Sequence, residues 1–166
     1  GALDVGIEFG SLSKPFNMTG WRIGYGVGRK DVIEALATIK SNIDSGVFQA
    51  IQEAAIEGLD DAEALIRENQ VVYKERRDVA IAAMRNLGWN IEKPRGSFYI
   101  WGKVPKGYDS TSFVEEILER TGVIITPGLG YGNFGEGYFR VSLTVEKDKI
   151  EEAFSRIKKE FGKFDF

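Results

Sequence analysis

A lysine, several hydroxyl side chains and an arginine crowd one short stretch, Ser11-Leu12-Ser13-Lys14-Pro15-Phe16-Asn17-Met18-Thr19-Gly20-Trp21-Arg22-Ile23-Gly24. A lysine that forms a Schiff base needs a protected, partly desolvated pocket in which its amine is neutral and nucleophilic. A phosphate beside it needs hydroxyls, backbone N–H groups and a guanidinium. This stretch offers all of them. A lone lysine is ordinarily a solvated surface charge. Here Leu12, Pro15, Phe16, Met18 and Trp21 surround Lys14, and glycines let the backbone approach a ligand closely. Lys14 therefore reads as a covalent amine that doubles as a proton carrier. Arg22, always charged and able to grip phosphate with two N–H groups, reads as the anion-binding cation. Ser11 and Ser13 are either phosphate hydroxyls or turn residues bonding their own backbone.

The rest of the chain holds weaker signals. In Tyr138-Phe139-Arg140-Val141-Ser142-Leu143-Thr144 the apolar residues alternate, so Arg140 points to the face opposite the core. Asn42 lies in a turn-forming run, Asn42-Ile43-Asp44-Ser45-Gly46. Phe98, Tyr99 and Trp101 read more readily as core than as pocket. Gly24-x-Gly26-x-Gly28 lacks the spacing of a dinucleotide loop and reads as strand packing. Arg76-Arg77 reads as a solvated helix face.

Composition narrows the chemistry. The 166 residues carry 22 Lys and Arg against 25 Asp and Glu, a net charge of −3, with no cysteine and no histidine. Triads built on histidine, thiol nucleophiles and the usual zinc sites are excluded at once. Acid–base work falls to Lys, Tyr, Asp or Glu, or to a cofactor that brings its own electron sink. No basic excess points to nucleic acid, and no apolar run approaches a membrane span. With no signal-peptide pattern either, the expectation is a cytoplasmic protein.

These residues need elements to position them. Leu3, Val5, Ile7 and Phe9 alternate, which predicts a strand over residues 2–9. A loop over 10–22 and a Gly-rich strand from Ile23 to Val27 follow. Asp31 with Glu34 reads as a capping box for a helix through Lys40, and a second helix spans Val47 to Leu59. A long helix, Asp61 to Leu87, carries the stripe Leu65, Val72, Val79 and Ala83 and stops at Gly88. Beyond it come a strand from Ser97 to Val104 and a helix capped by Ser112 and Glu115. Then follow a strand from Val123 to Thr126, a Gly-rich loop, a strand from Tyr138 to Thr144 and a final amphipathic helix. The fold class is α/β: 1–60 and 88–166 are pieces of two domains, joined by a helix over 61–87. Because the chain opens inside a predicted strand, it reads as the C-terminal portion of something longer.

The lysine stretch matches the signature of the class I/II, fold-type-I, pyridoxal-phosphate aminotransferases, and the likeness extends over the whole chain. It most resembles the LL-diaminopimelate aminotransferases, through Met18 to Gly24, Ser41 to Gln52, Gly96-Ser97-Phe98-Tyr99-Ile100-Trp101, and Thr126-Pro127-Gly128 through Thr144. The resemblance implies that Lys14 binds pyridoxal 5'-phosphate and that Ser11, Ser13 and Arg22 hold its phosphate. It implies that Arg140 clamps the substrate α-carboxylate, and that Asn42 reaches cofactor or substrate across a dimer interface. It implies the end of a large cofactor-binding domain, a connecting helix and a small C-terminal domain, acting as a homodimer. The reaction implied is amino-group exchange between an amino acid and a 2-oxo acid, LL-diaminopimelate with 2-oxoglutarate in lysine biosynthesis, with the isolated 166 residues close to inactive. The resemblance implies that the family's ring-nitrogen aspartate, ring-oxygen tyrosine, nearby asparagine and stacked aromatic fall upstream of Gly1, and Gly10 stands where relatives often carry a larger side chain. Rival readings are an aspartate or aromatic aminotransferase, a cofactor-binding transcriptional regulator of the same fold, and a scaffold without turnover.

Overall fold

A computed structural model describes all 166 residues. Two compact units divide the chain, Gly1–Val71 and Val72–Phe166. The first opens on a single helical turn, α1 (Ala2–Val5), followed by β1 (Ile7–Ser11) and β2 (Gly24–Gly28), and then by α2 (Lys30–Ile43) and α3 (Gln49–Asp60). Helix α4 (Ala62–Asn86) spans the division. The second unit adds β3 (Tyr99–Lys103), α5 (Ser110–Thr121), β4 (Thr126–Pro127), β5 (Tyr138–Ser142) and α6 (Lys147–Phe161). This is the expected α/β class, with two small antiparallel sheets, β1-β2 and β3-β5-β4.

In the first unit the predicted strand over residues 2–9 is shorter than its alternation suggests. β1 pairs with β2 from Ile7↔Gly28 to Ser11↔Gly24, so nothing in this sheet lies opposite residues 2–5. Without a ladder partner they close a helical turn, in which the Gly6 N–H donates to the Ala2 carbonyl at 3.0 Å. The Asp31–Glu34 capping box does not form. Arg29 donates to both carboxylate oxygens of Asp31, at 2.6 and 2.8 Å, which takes up the side chain that was to cap α2. The buried side chains of this unit are few: Leu12, Met18 and Ala55, with Phe16 and Ile23 packed on them.

The second unit is a two-layer sandwich. Phe139, Val141 and Leu143 face a core closed by Ala80, Ile81 and Met84 of α4, Phe113 and Ile117 of α5, and Ile150, Phe154 and Ile157 of α6. The stripe of α4 is therefore shifted from the predicted one. Leu65 and Val72 are exposed, Val79 and Ala83 lie at the flank, and burial is confined to the last two turns. Arg76 and Arg77 are not a solvated face. Arg76 Nη1 donates to the Leu143 carbonyl at 3.2 Å, and Arg77 Nη1 donates to the Pro94 carbonyl at 3.0 Å. Helix α5 starts earlier than predicted because Asp109 caps it. Its Oδ1 accepts from the N–H groups of Thr111 and Ser112 at 2.9 and 2.8 Å, while the Ser112 hydroxyl accepts from the Asp109 N–H. Of the predicted strand Val123–Thr126 only Thr126 joins the sheet, opposite Arg140. The tail returns to the core, where Phe164 and Phe166 pack on Trp89 at ring separations of 4.7 and 5.5 Å.

Candidate active site

The lysine stretch is a connection between two hydrogen-bonded strands. Its apolar residues turn inward: Leu12 and Met18 are buried against Ala55 of α3, leaving the polar residues on the outer side. Hydrogen bonds then tie the loop across itself. The Ser11 hydroxyl accepts from the Ser13 N–H at 3.2 Å, the Thr19 hydroxyl donates to the Ser13 carbonyl at 3.0 Å, and Arg22 Nη1 donates to the Thr19 carbonyl at 2.8 Å. Ser11, Ser13 and Arg22 are thus brought into one bonded network that flanks Lys14. Asn69 of α4 braces the same loop, its amide donating to the Pro15 carbonyl at 3.0 Å. Arg22 adopts the left-handed backbone conformation, φ 55° and ψ 45°, which costs a non-glycine residue about 1 kcal/mol or more. That turn directs the chain from a 3₁₀ turn (Thr19–Trp21) into β2.

The desolvated pocket expected around Lys14 is not built within this unit. Lys14 is exposed, and the neighbours counted as its walls, Leu12 and Met18, are the floor of the loop instead. The donor set nonetheless suits a phosphate ester. A lysine, an arginine and hydroxyls share one turn, and no acidic residue lies between Glu8 and Asp31. The backbone also approaches closely here. A side chain at Gly10 would overlap the Tyr25 ring, whose atoms lie from 2.2 Å of the position a Cβ would take. The small residue in front of the signature thus has a local reason in the aromatic residue paired with it across the sheet. Asn42 stands apart from this network. It lies in the last turn of α2, and its amide donates to the Thr38 carbonyl at 2.8 Å.

Arg140 occupies the central strand of the second sheet, between Trp101 of β3 and Thr126 of β4, on the face away from the core. Its guanidinium carbon lies 4.1 Å from the Tyr99 ring centre and 4.7 Å from that of Tyr131. Its Nε is buried and has no hydrogen-bond partner, and no carboxylate forms an ion pair with it. A half-buried cation without a counter-anion is costly, and this guanidinium keeps hydrogen-bonding capacity that no protein group takes up. Tyr99 and Trp101 belong to this outer face and not to the core, as β-sheet alternation requires once Ile100 faces inward. Tyr131, on a 3₁₀ turn (Gly128–Tyr131), joins them from a segment without strand or helix periodicity. Its link to Arg140 crosses a nine-residue separation through a glycine-rich loop that carries no periodic signal. An apolar groove of about 440 Å³, lined by Val123, Ile125, Val141, Ile150, Phe154 and Ile157 among others, involves none of these residues.

The family model for aminotransferase class I and II matches residues 3–157. The chain belongs to the class I and II aminotransferases. It is 57% identical over all 166 residues to an LL-diaminopimelate aminotransferase of Moorella thermoacetica, covering 43% of that protein. It is 55% identical over 164 residues to one of Halothermothrix orenii, covering 42% of it. Among solved structures, substrate-bound BacF from Bacillus subtilis superposes with a TM-score of 0.92 at 34% identity, over 99% of this chain and 42% of that one. An aminotransferase from Staphylococcus aureus gives 0.85 at 36% identity, over 94% of this chain and 42% of that one. This aminotransferase chain therefore spans about two fifths of the length of the relatives it matches.

Proposed function

We propose that the chain is the part of an LL-diaminopimelate aminotransferase that carries the cofactor lysine and the carboxylate-binding arginine. The observation behind this reading is the 57% identity over its full length to a protein of that name. The bonded lysine loop and the unpaired Arg140 agree with it. In this reading residues 1–60 close a large cofactor-binding domain, 61–87 connect, and 88–166 form a small C-terminal domain. The working protein is a cytoplasmic homodimer in lysine biosynthesis, with LL-diaminopimelate as donor and 2-oxoglutarate as acceptor. The remaining length of the relatives is the source of the walls that Lys14 lacks within its own unit.

Pyridoxal 5'-phosphate, when bound, supplies an aldehyde and an aromatic ring that takes up the electron pair left at the substrate α-carbon. This chain's residues do the rest. Arg22 and Ser11, with Ser13, would hold its phosphate, by a charged fork and by hydroxyl or N–H donors. Lys14 Nζ would hold the aldehyde covalently, and the same amine would move the proton at the substrate α-carbon. Arg140 orients the α-carboxylate, so that the same α-proton is presented at every turnover. Asn42 is the candidate for a further substrate contact, made from the neighbouring subunit.

Reduction with borohydride after incubation with pyridoxal 5'-phosphate tests the reading. A mass increase is expected on the peptide holding Lys14 and is absent in Lys14→Ala. An unmodified Lys14 in a complete protein that still exchanges amino groups would overturn it. Conversion of LL-diaminopimelate with 2-oxoglutarate, against aspartate and aromatic donors, tests the choice of substrate.

A further inference from the structure

Arg140 poses a local problem. A cation that is half buried ordinarily finds a carboxylate, which takes up both its charge and its N–H groups. Here no carboxylate pairs with it; instead two tyrosine rings lie against the guanidinium, at 4.1 and 4.7 Å. A ring face attracts the cation through its quadrupole but accepts no conventional hydrogen bond. The charge is therefore held in place without any N–H group being spent on a protein acceptor, and the buried Nε is left without a partner. A carboxylate in the same place would compete with any incoming anion.

Several contacts fix the loop that bears Tyr131. Gly128 and Gly135 approach so closely that a Cβ on either would lie 2.0–2.1 Å from the other's carbonyl oxygen. The buried Ser110 hydroxyl accepts from the N–H groups of Gly137 and Tyr138 at 2.9 and 3.2 Å, and it donates to the Gly135 carbonyl. Glu136 accepts from the N–H groups of Ser110 and Gly137, both at 2.8 Å. Tyr131 itself meets Trp101 edge to face at 5.6 Å, and Trp101 in turn stacks on Tyr138 at 5.9 Å. Trp101 and Tyr138 share the sheet face of Arg140.

We infer that Tyr131, together with Tyr99, is a positioning residue that holds the Arg140 guanidinium by its π-face and so keeps its N–H donors open for the substrate carboxylate. This rests on the reading of Arg140 given above. The ring face matters, not the phenol, so phenylalanine serves in its place and an aliphatic side chain of similar bulk does not.

Glutarate, which carries carboxylates but no amino or oxo group, is the probe. In the full chain the Arg Nε–H resonances are followed by NMR during its titration. One Nε–H signal is expected to shift and to be missing in Arg140→Lys. Tyr131→Phe keeps the glutarate Kd within about twofold, whereas Tyr131→Leu raises it about fivefold or more, as the loss of one cation–π contact implies. The amide spectrum of the core around Phe113, Ile117 and Leu143 reports whether each variant stays folded. Equal affinity in Tyr131→Leu and the parent, with binding abolished in Arg140→Lys, would overturn the positioning role and leave Arg140 as the receptor. Binding that survives Arg140→Lys, or no binding in the parent, would overturn the assignment of Arg140 itself.

Discussion

The two arginines to which the proposed reading gives anion binding, Arg22 and Arg140, are held in opposite ways. Arg22 is exposed and fixed by its own backbone, through a left-handed turn and a bond to the Thr19 carbonyl. Arg140 sits mid-strand and is fixed by side chains, the rings of Tyr99 and Tyr131. The consequence is that charge alone does not define the second site. In Arg140→Lys the ammonium keeps the charge but loses the planar fork and much of the ring contact. In the complete enzyme proposed above this substitution is expected to raise KM for both the amino and the oxo acid about tenfold or more. That corresponds to about 1.5–3 kcal/mol for a charged hydrogen bond. Steady-state kinetics with each substrate varied in turn checks it. A KM unchanged for both would remove the α-carboxylate from Arg140.

At the scale of elements, the strand and helix patterns were readable, while what anchors them was less so. The alternation in Tyr138–Thr144 placed Arg140 on the outer face because a strand has only two faces. The start of α5 was misplaced because Ser112-x-x-Glu115 and Asp109-x-x-Ser112 are both plausible boxes, and only the bonds choose Asp109. The isolation of residues 2–5 depended on the length of β2, which their own pattern does not contain. The exposure of Lys14 is illegible in the sequence for a related reason, since apolar neighbours along the chain can form a floor as well as walls. The α5–loop clamp also titrates. Backbone N–H groups of Ser110 and Gly137 hold the Glu136 carboxyl below its ordinary range, and the Ser112 N–H and hydroxyl do the same for Asp109. A depressed carboxyl stabilises the fold above its unfolded pKa and stops doing so as the pH falls through its folded one. Glu136→Gln retains an acceptor but cannot be protonated in this range. Its thermal midpoint is therefore expected to lie below that of the parent near pH 7, with the gap narrowing as the pH falls below the ordinary glutamate range. A gap independent of pH, measured by circular dichroism, would show that the carboxylate charge is not what holds the loop.

Across the whole molecule, burial is distributed very unevenly. In residues 1–71 only Leu12, Met18 and Ala55 form a buried apolar cluster, while Val5, Phe9, Tyr25, Val27, Ile39 and Ile43 stay exposed. In residues 72–166 a continuous core runs from Ala80 to Ile157, closed by the ring cluster of Trp89, Phe113, Phe139 and Phe164. Stability follows apolar surface removed from water, at about 25 cal/mol per Å². A two-stranded ribbon with both faces wet is marginal on its own. The two units should therefore open with different free energies, even though a single helix runs through both. Native-state hydrogen exchange on the 166-residue chain is expected to show slow amides in β3, β5, α5, α6 and the last turns of α4. The amides of β1, β2 and α2 should exchange about a hundredfold faster or more, a difference of roughly 2.8 kcal/mol in opening free energy. The protection boundary should fall within α4, near the onset of burial at Ala80, and not at either end of the helix. Uniform protection from Ile7 to Phe161 would mean that the lysine loop is held by the same cooperative unit as Arg140. In that case the exposed apolar side chains of the first unit would have to be covered in solution.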